Sequence, residues 1–418
     1  MLYLKNATYI NPISFKFEKV NIAVEEGIDK GISFVADIPK NENYIDCNGM
    51  YVAKSFVVGH HHAYSGLATG MPPAAKNPGN FLEILQYVWW NLDKKLNKDS
   101  IRASAYATAI GCALNGSTFI IDHHASPFAI ENSMDILAEV FDEVGISHLL
   151  CYEISDRDGI EIAQKGLDET EKYLQKNQGL VGLHASFTVG DETMKKAADL
   201  MTKYDSGVHI HVAEDKYDQT RCEADHNKRV VERLHDFGML DSSKTILGHA
   251  IHINENERNI LKNSKAYVVQ NPESNLNNNV GFFTRTGLNI DKIILGTDGM
   301  HSDMIRSAQA AYFAGKPIDN PGLDIIYNQL RNNHNYLKIN DFKGDDDNNL
   351  IVLDYNHLTD FNENNFLGHF LYAMRPSAVR HVISNGKLIV KDRKLQNIDT
   401  EEIVRYTKEQ AQRLWNLL

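Results

Sequence analysis

Six polar residues spread along this chain are of types that bind a transition metal and move protons: His60, His62, His211, Glu214, His249 and Asp298. Each ends, or closely follows, a short apolar run, as in SFVVGHHH, GVHIHVAED, TILGHAIH and IILGTDGM. His60 and His62 are two positions apart, so on a strand both side chains leave by one face and can point at one ion. His211 adds a third nitrogen and Asp298 an oxygen. Three nitrogens, an oxygen and a water are the donors of a catalytic metal, because one position stays open. Zinc is the divalent cation expected first, and iron(II) or manganese also suit these donors. The ion would activate water for attack. Asp298 would take the water's proton while remaining a ligand, and Glu214 would protonate a leaving or ring nitrogen. His249 would steady the developing oxyanion or the water. Core histidines are the plain alternative for any one of these residues. They do not explain a series in which every member closes an apolar run.

Neighbouring residues sort by the same alternation. His61 lies between the two ligands, should point the other way and reads as structural. His209 shares a face with His211 one layer deeper and reads as packed in the interior. His184 in LVGLHASF is expected to contact substrate. His123 and His124 end the run in IDHHASP, and one of them, taken as His123, would line the pocket. Trp90, from the pair Trp89-Trp90, would roof the cleft. The loop PESNLNNN (272–279) follows another apolar run, and Asn275 is its best candidate for a substrate contact or a supporting role.

The elements that must position these residues alternate between apolar strands and amphipathic helices from Ser55 onward, the pattern of a parallel sheet. Eight strands are expected at 55–62, 116–124, 147–155, 180–187, 207–213, 245–252, 265–271 and 293–298. FLEILQYVWWNLDKKL (81–96), MDILAEVFDEVG and ETMKKAADLMTKY carry apolar residues at helical spacing. This α/β series is one (β/α)8 TIM barrel, whose site gathers at the C-terminal ends of its strands. Residues 1–57 contain short alternating runs. Strands return after about residue 340, with Asn385-Gly386 as a hairpin turn between two apolar runs. Residues 1–57 and 341–418, including an amphipathic C-terminal helix, are expected to form a small β-sandwich beside a barrel spanning 58–340. The run Gly344–Asp347 is expected to be a solvated turn.

Bulk properties narrow the class. The chain has 418 residues, 43% hydrophobic and 23% charged, enough for a barrel plus a smaller domain. A formal net charge of −12 argues against nucleic acid or an anionic membrane as partner. No apolar stretch approaches a membrane span, and the N-terminus lacks the pattern of a signal peptide, so the cytoplasm is the expected location. Cys47, Cys112, Cys151 and Cys222 form no CxxC pair and read as reduced thiols.

The ordered series HHHAYSG, VWWNLDKKL, IDHHASP, HIHVAED, SNLNNNVG and GTDGMHSDM resembles the amidohydrolase superfamily. The resemblance is to the branch with guanine and cytosine deaminases and triazine hydrolases, and within it to the SsnA-type aminohydrolases. It covers the whole chain and is strongest over 58–305. It implies a distorted barrel with a β-sandwich built from both termini. It also implies one divalent metal on His60, His62, His211 and Asp298, catalytic roles for Glu214 and His249, and barrels paired as a homodimer. LVGLHASF carries no lysine of the kind that bridges two ions in related barrels, which favours one metal. There are departures: Lys54-Ser55 stands where a Pro-Gly pair usually precedes the first strand, and Gln270 stands where a His commonly precedes Asn271-Pro272. The usual return to the sandwich is degraded to KGDDDNNL.

The expected reaction is hydrolysis of a C–N bond in a small nitrogen heterocycle, foremost deamination of an aminated purine- or pyrimidine-like ring. Ring opening of a cyclic amide is the alternative, followed by dehalogenation of a chlorinated ring. A metal-binding protein without turnover would be expected to have lost Glu214, His249 or a ligand, and all are present.

Overall fold

The computed structural model describes residues 1–418. All eight expected strands form, numbered here β1 (Phe56–His61), β2 (Ser117–His124), β3 (Ser147–Tyr152), β4 (Val181–Ala185), β5 (Val208–Val212), β6 (Ile246–His249), β7 (Tyr267–Gln270) and β8 (Ile293–Leu295). All are parallel and almost wholly buried, which is why they read as unbroken apolar runs rather than as alternation. Several end earlier than expected. His62, Glu214 and Asp298 lie just beyond their strands, on the turns that carry the site.

The barrel is two ladders, β1–β2–β3 and β4–β5–β6–β7–β8. They meet at two seams where pairing thins to isolated bridges: His61 with Asp298 at β8–β1, and Leu150 with Gly179 and Ile154 with Leu183 at β3–β4. At the first seam Asn333, from the helix Leu323–Ile339, stands in for ladder bonds. Its amide donates to Val57 O (2.6 Å) and Leu295 O (2.8 Å), and its oxygen accepts from Leu295 N–H (2.9 Å). Gly59 permits that approach, since a Cβ there would lie 2.6 Å from Leu295 O. At the second seam a Cβ on Gly182 would lie 2.2 Å from Tyr152 O.

Helices follow the strands. Lys98–Leu114 starts at a reciprocal cap between Asn97 and Ser100. The single helix expected over 81–96 is interrupted: Phe81–Ile84 and Trp90–Asp93 are α-helical, and Leu85–Trp89 between them is a π turn. Such turns cluster at functional sites.

The two ends of the chain share one nine-stranded sheet. Leu350–Leu353 lies between Tyr51–Lys54 and Val379–Ser384, antiparallel to both, and so joins N- and C-terminal segments. Asn385 and Gly386 both have positive φ (47° and 77°), the geometry of a tight hairpin turn into Lys387–Lys391. The C-terminal helix Thr400–Trp415 packs on the barrel helix Lys98–Leu114. Tyr406 OH donates to Asp99 O (3.0 Å), and Trp415 Nε1 donates to Leu67 O (2.9 Å).

Within the run 344–347 the side chain of Asp345 departs from the expectation of a solvated turn, while Asp347 is exposed as expected. Asp345 is buried, 3.0 Å from Lys54 Nζ and 2.7 Å from His334 Nδ1. The Lys54 ammonium also donates to Asp345 O (3.1 Å) and Asp346 O (2.5 Å). The two unusual segments therefore meet, and each supplies the charge that the other needs in order to be buried. All four cysteines are free and buried, and no helix is long and apolar enough to cross a membrane.

Candidate active site

His60, His62, His211 and Asp298 converge at the C-terminal mouth, all buried. His62 Nε2 lies 2.9 Å from Asp298 Oδ1 and 3.1 Å from His211 Nε2, and His60 Nε2 lies 3.4 Å from the same Asp298 oxygen. The far side of two of the rings, His62 and His211, fixes which nitrogen is free. His62 Nδ1–H donates to His123 O (2.7 Å) and His211 Nδ1–H to His184 O (2.8 Å), since a carbonyl can only accept. His60 Nδ1 pairs with His209 Nε2 at 2.8 Å, and His60 Nε2 is buried with no hydrogen-bond partner. Burial pushes the His60 imidazole down to about 3, so it is neutral near pH 7. With all three rings neutral, three imidazole lone pairs and a carboxylate oxygen face one another; without a cation the Asp298 carboxylate draws a proton onto His62 instead, raising it to about 9 against the pull of burial. Buried acceptors need a positive charge, and these fit a divalent cation. His209, expected only to pack, braces His60. His61 points away as expected, with Nδ1 3.0 Å from Thr297 Oγ1.

Beside this cluster sit Glu214 and His249. His249 Nε2 is 3.5 Å from Glu214 Oε2 and 4.0 Å from Asp298 Oδ2. Burial raises the Glu214 carboxyl to about 7, with His249 opposing the shift and Asp298 adding to it. The backbone is left-handed at Ala213 (φ 46°), His249 (φ 68°) and Asp298 (φ 52°). Non-glycine residues rarely adopt that region, and surrounding contacts must hold them there. Asp218 does so at Ala213, accepting its N–H at 2.8 Å while its other oxygen accepts Phe187 N–H at 3.3 Å. The tight turn at Ala213 aims Glu214 back into the mouth.

Asn275 does not line the cavity. Its Oδ1 accepts from His249 Nδ1 at 2.7 Å, so it orients His249 and is not a direct substrate contact. Ser274 and Asn278 of the same loop do line the cavity. Ser274 Oγ donates to Asp298 Oδ2, and Asn278 Nδ2 donates to Glu214 Oε1 at 3.3 Å. The reason is helical phase, because 272–277 forms a short helix that turns Asn275 inward. Gln270 is also remote from the cavity, its Oε1 accepting from Arg285 and Gln329 at 2.9 Å each.

Trp90 and His184 both line the cavity, with rings edge-on at 5.8 Å. Phe81, Leu85, Trp89 and Phe187 complete an apolar roof. The roof helix is anchored by Asp93, which pairs with Arg157 from the loop after β3, and that guanidinium lies over the Trp90 ring at 5.1 Å. His123 lies one layer behind the wall. Its Nδ1 is 3.1 Å from Glu153 Oε2, and Glu153 is the residue that reaches the cavity.

The amidohydrolase family model matches residues 55–325, well over half of the chain. This chain belongs to the amidohydrolase family. It is a hydrolase, and its family acts on C–N bonds. It is 26% identical over 351 residues to a 5-methylthioadenosine/S-adenosylhomocysteine deaminase of Thermoanaerobacter pseudethanolicus, covering 78% of this chain and 79% of the relative. It is also 26% identical over 375 residues to a 5'-deoxyadenosine deaminase of Methanopyrus kandleri, covering 84% and 83%. Among solved structures, the fold matches an adenosine deaminase of Xanthomonas campestris with bound zinc (TM-score 0.82, 20% identity, 99% and 98% coverage). It also matches the atrazine chlorohydrolase TrzN of Arthrobacter aurescens with zinc (TM-score 0.83, 16% identity, 98% and 100% coverage).

Sequence reasoning missed Glu153, Asp218, Ser274 and Asn278 in this amidohydrolase. Glu153 directly follows β3 and carried the same strand-end signal as His60, but as an ordinary carboxylate in CYEIS it did not stand out. Asp218 is four residues beyond Glu214, and nothing local marks it as the brace of the Ala213 turn.

Proposed function

We propose that this amidohydrolase removes an exocyclic amine from a small nitrogen heterocycle: water replaces the amine, the ring gains a carbonyl, and ammonia leaves. The observation that carries the reading is the meeting of four residues able to hold a cation with Glu214, a carboxyl that burial raises to about 7. The relatives named as deaminases support the same direction. A divalent cation held by His60, His62, His211 and Asp298 would lower the pKa of a water towards about 7 and polarise the attacked carbon. Zinc is the cation we propose, on the strength of the zinc-bound neighbours.

The protein's own groups do the rest. Asp298 directs Oδ1 at His60 and His62, while Oδ2, which already accepts from Ser274 Oγ, has a second lone pair to receive a proton. Glu214 delivers its proton to the ring nitrogen beside the attacked carbon, or to the departing amine. Asn278 holds its Oε1, leaving Oε2 for the transfer. His249 Nε2 has no hydrogen-bond partner in the protein and faces both carboxylates, so a proton held there would be offered to the oxygen growing on the attacked carbon. The aromatic roof covers the flat ring and excludes bulk water.

The test is ammonia release by the metal-loaded protein across aminated purines, their ribosides, pyrimidines, triazines and pterins. Ammonia with an intact ring chromophore is the expected result. Loss of the chromophore without ammonia would replace deamination by ring opening, and chloride from a chlorinated ring would replace it by dehalogenation.

A further inference from the structure

Across the cavity from Glu214 lies a second polar corner, made of Glu153, His123 and His184. His123 Nε2 lies 3.1 Å from both Leu183 O and His209 O, so that nitrogen carries a hydrogen, while Nδ1 lies 3.1 Å from Glu153 Oε2 and pairs with it when that nitrogen carries a hydrogen as well. His184 Nδ1 donates to Thr188 Oγ1 (2.7 Å), because that hydroxyl donates onward to Ala185 O (3.1 Å); His184 Nε2 is therefore an acceptor as well. Nε2 is 4.0 Å from Glu153 Oε1, and both residues line the cavity. Glu153 has no Arg or Lys within ion-pair distance; the Arg157 guanidinium acts on it only through space, being paired with Asp93 and Asp158. A proton on His123 Nδ1 would relieve its contact with Oε2. The pair Glu153 Oε1 and His184 Nε2 would still lack a donor from the protein, and both line the cavity, where an N–H of a ligand can reach them.

We propose that Glu153, with His184, is the specificity-determining pair of this enzyme, and that it accepts N–H donors from a second amino group or ring N–H on the substrate. The inference rests on the deaminase reading for the position of the scissile carbon. Position selects a group on the reacting ring over a sugar hydroxyl: one nitrogen each of His62, His123 and His211 and an oxygen of Glu153 all lie within 4.8 Å of one another. A group bound at Glu153 is thus about one ring's width from the attacked carbon. The substrate class is a heterocycle with two amino groups, or an amine and a ring N–H, flanking a ring nitrogen. One amine is displaced at the cation cluster and the other is held by Glu153.

The experiment compares matched rings differing by one amino group: adenine with 2,6-diaminopurine, 4-aminopyrimidine with 2,4-diaminopyrimidine, and aminotriazine with melamine, with adenosine as the hydroxyl arm. For the zinc-loaded wild type, kcat/KM should favour the diamino member of at least one pair by about tenfold to a hundredfold, the worth of a charge-assisted hydrogen bond. Glu153→Gln and Glu153→Met should retain zinc and flatten that preference, mainly through KM. Glu153→Asp, which keeps the carboxylate, should restore part of it. Calorimetric binding of the same pairs keeps the question separate from turnover. If no ring releases ammonia but the diamino rings bind more tightly in a Glu153-dependent way, the deaminase reading fails and the corner stands. Equal treatment of every pair by the wild type would overturn the proposal. So would an unchanged preference in Glu153→Met, or a Glu153-dependent preference for adenosine over adenine.

Discussion

The two seams of the barrel hold the same residue types and arrange them differently. At β8–β1, His60, His62 and Asp298 join His211 with every free lone pair turned to one point. At β3–β4, Glu153 meets His123 Nδ1 and His184 Nε2 at 3.1 and 4.0 Å, spread along a wall instead of around a point. The difference comes from what stands behind each ring. Carbonyls of His123 and His184 take the Nδ1 hydrogens of His62 and His211, whereas for His123 itself it is Nε2 that the carbonyls of Leu183 and His209 take. Backbone acceptors orient His62, His211 and His123, whereas His184 keeps the same free Nε2 as the first two and is set apart by its place beside Glu153.

Substitutions should separate the seams. Asp298→Ala should lose both bound metal and turnover, while His184→Ala keeps its metal; metal analysis after gel filtration, paired with an ammonia assay, checks both. If His184→Ala also loses the metal, the two walls are not independent. Next in size is Glu214→Gln, which should bind metal normally and lose about 10²- to 10⁴-fold in kcat, the usual worth of a positioned acid; wild-type rates in that variant would remove Glu214 from the chemistry. His209→Ala takes away the brace behind His60 and should weaken metal binding about 10- to 100-fold in chelator competition, with substrate preference unaltered. The smallest effect concerns pH. Burial raises Glu214 to about 7, so the acid form is full below that value and drains away above it. The kcat profile should fall on the alkaline side from about pH 7, by about tenfold per unit, and this limb should vanish from the residual rate of Glu214→Gln.

The barrel was legible because parallel strands buried on both faces leave continuous apolar runs, and each run stops where its polar residues begin. The meeting of His60, His62, His211 and Asp298 was legible for the same reason, helped by the two-residue spacing of His60 and His62. The braces were not. Asn275 and Asn278 sit in one amide-rich loop, and only the phase of its short helix turns the first towards His249 and the second towards Glu214. Asp345 looked like part of a solvated acidic run because its partners, Lys54 and His334, are remote in sequence. Glu153 gains its meaning from β4, a neighbour only across a seam.

Zinc titration of the metal-stripped protein, followed by ammonia release from its best ring substrate, tests the central claim most directly. The account predicts no activity without metal and a linear rise that saturates at one equivalent per chain. Full activity in the stripped protein, or a rise that continues to two equivalents, would contradict a single cation centre built on His60, His62, His211 and Asp298.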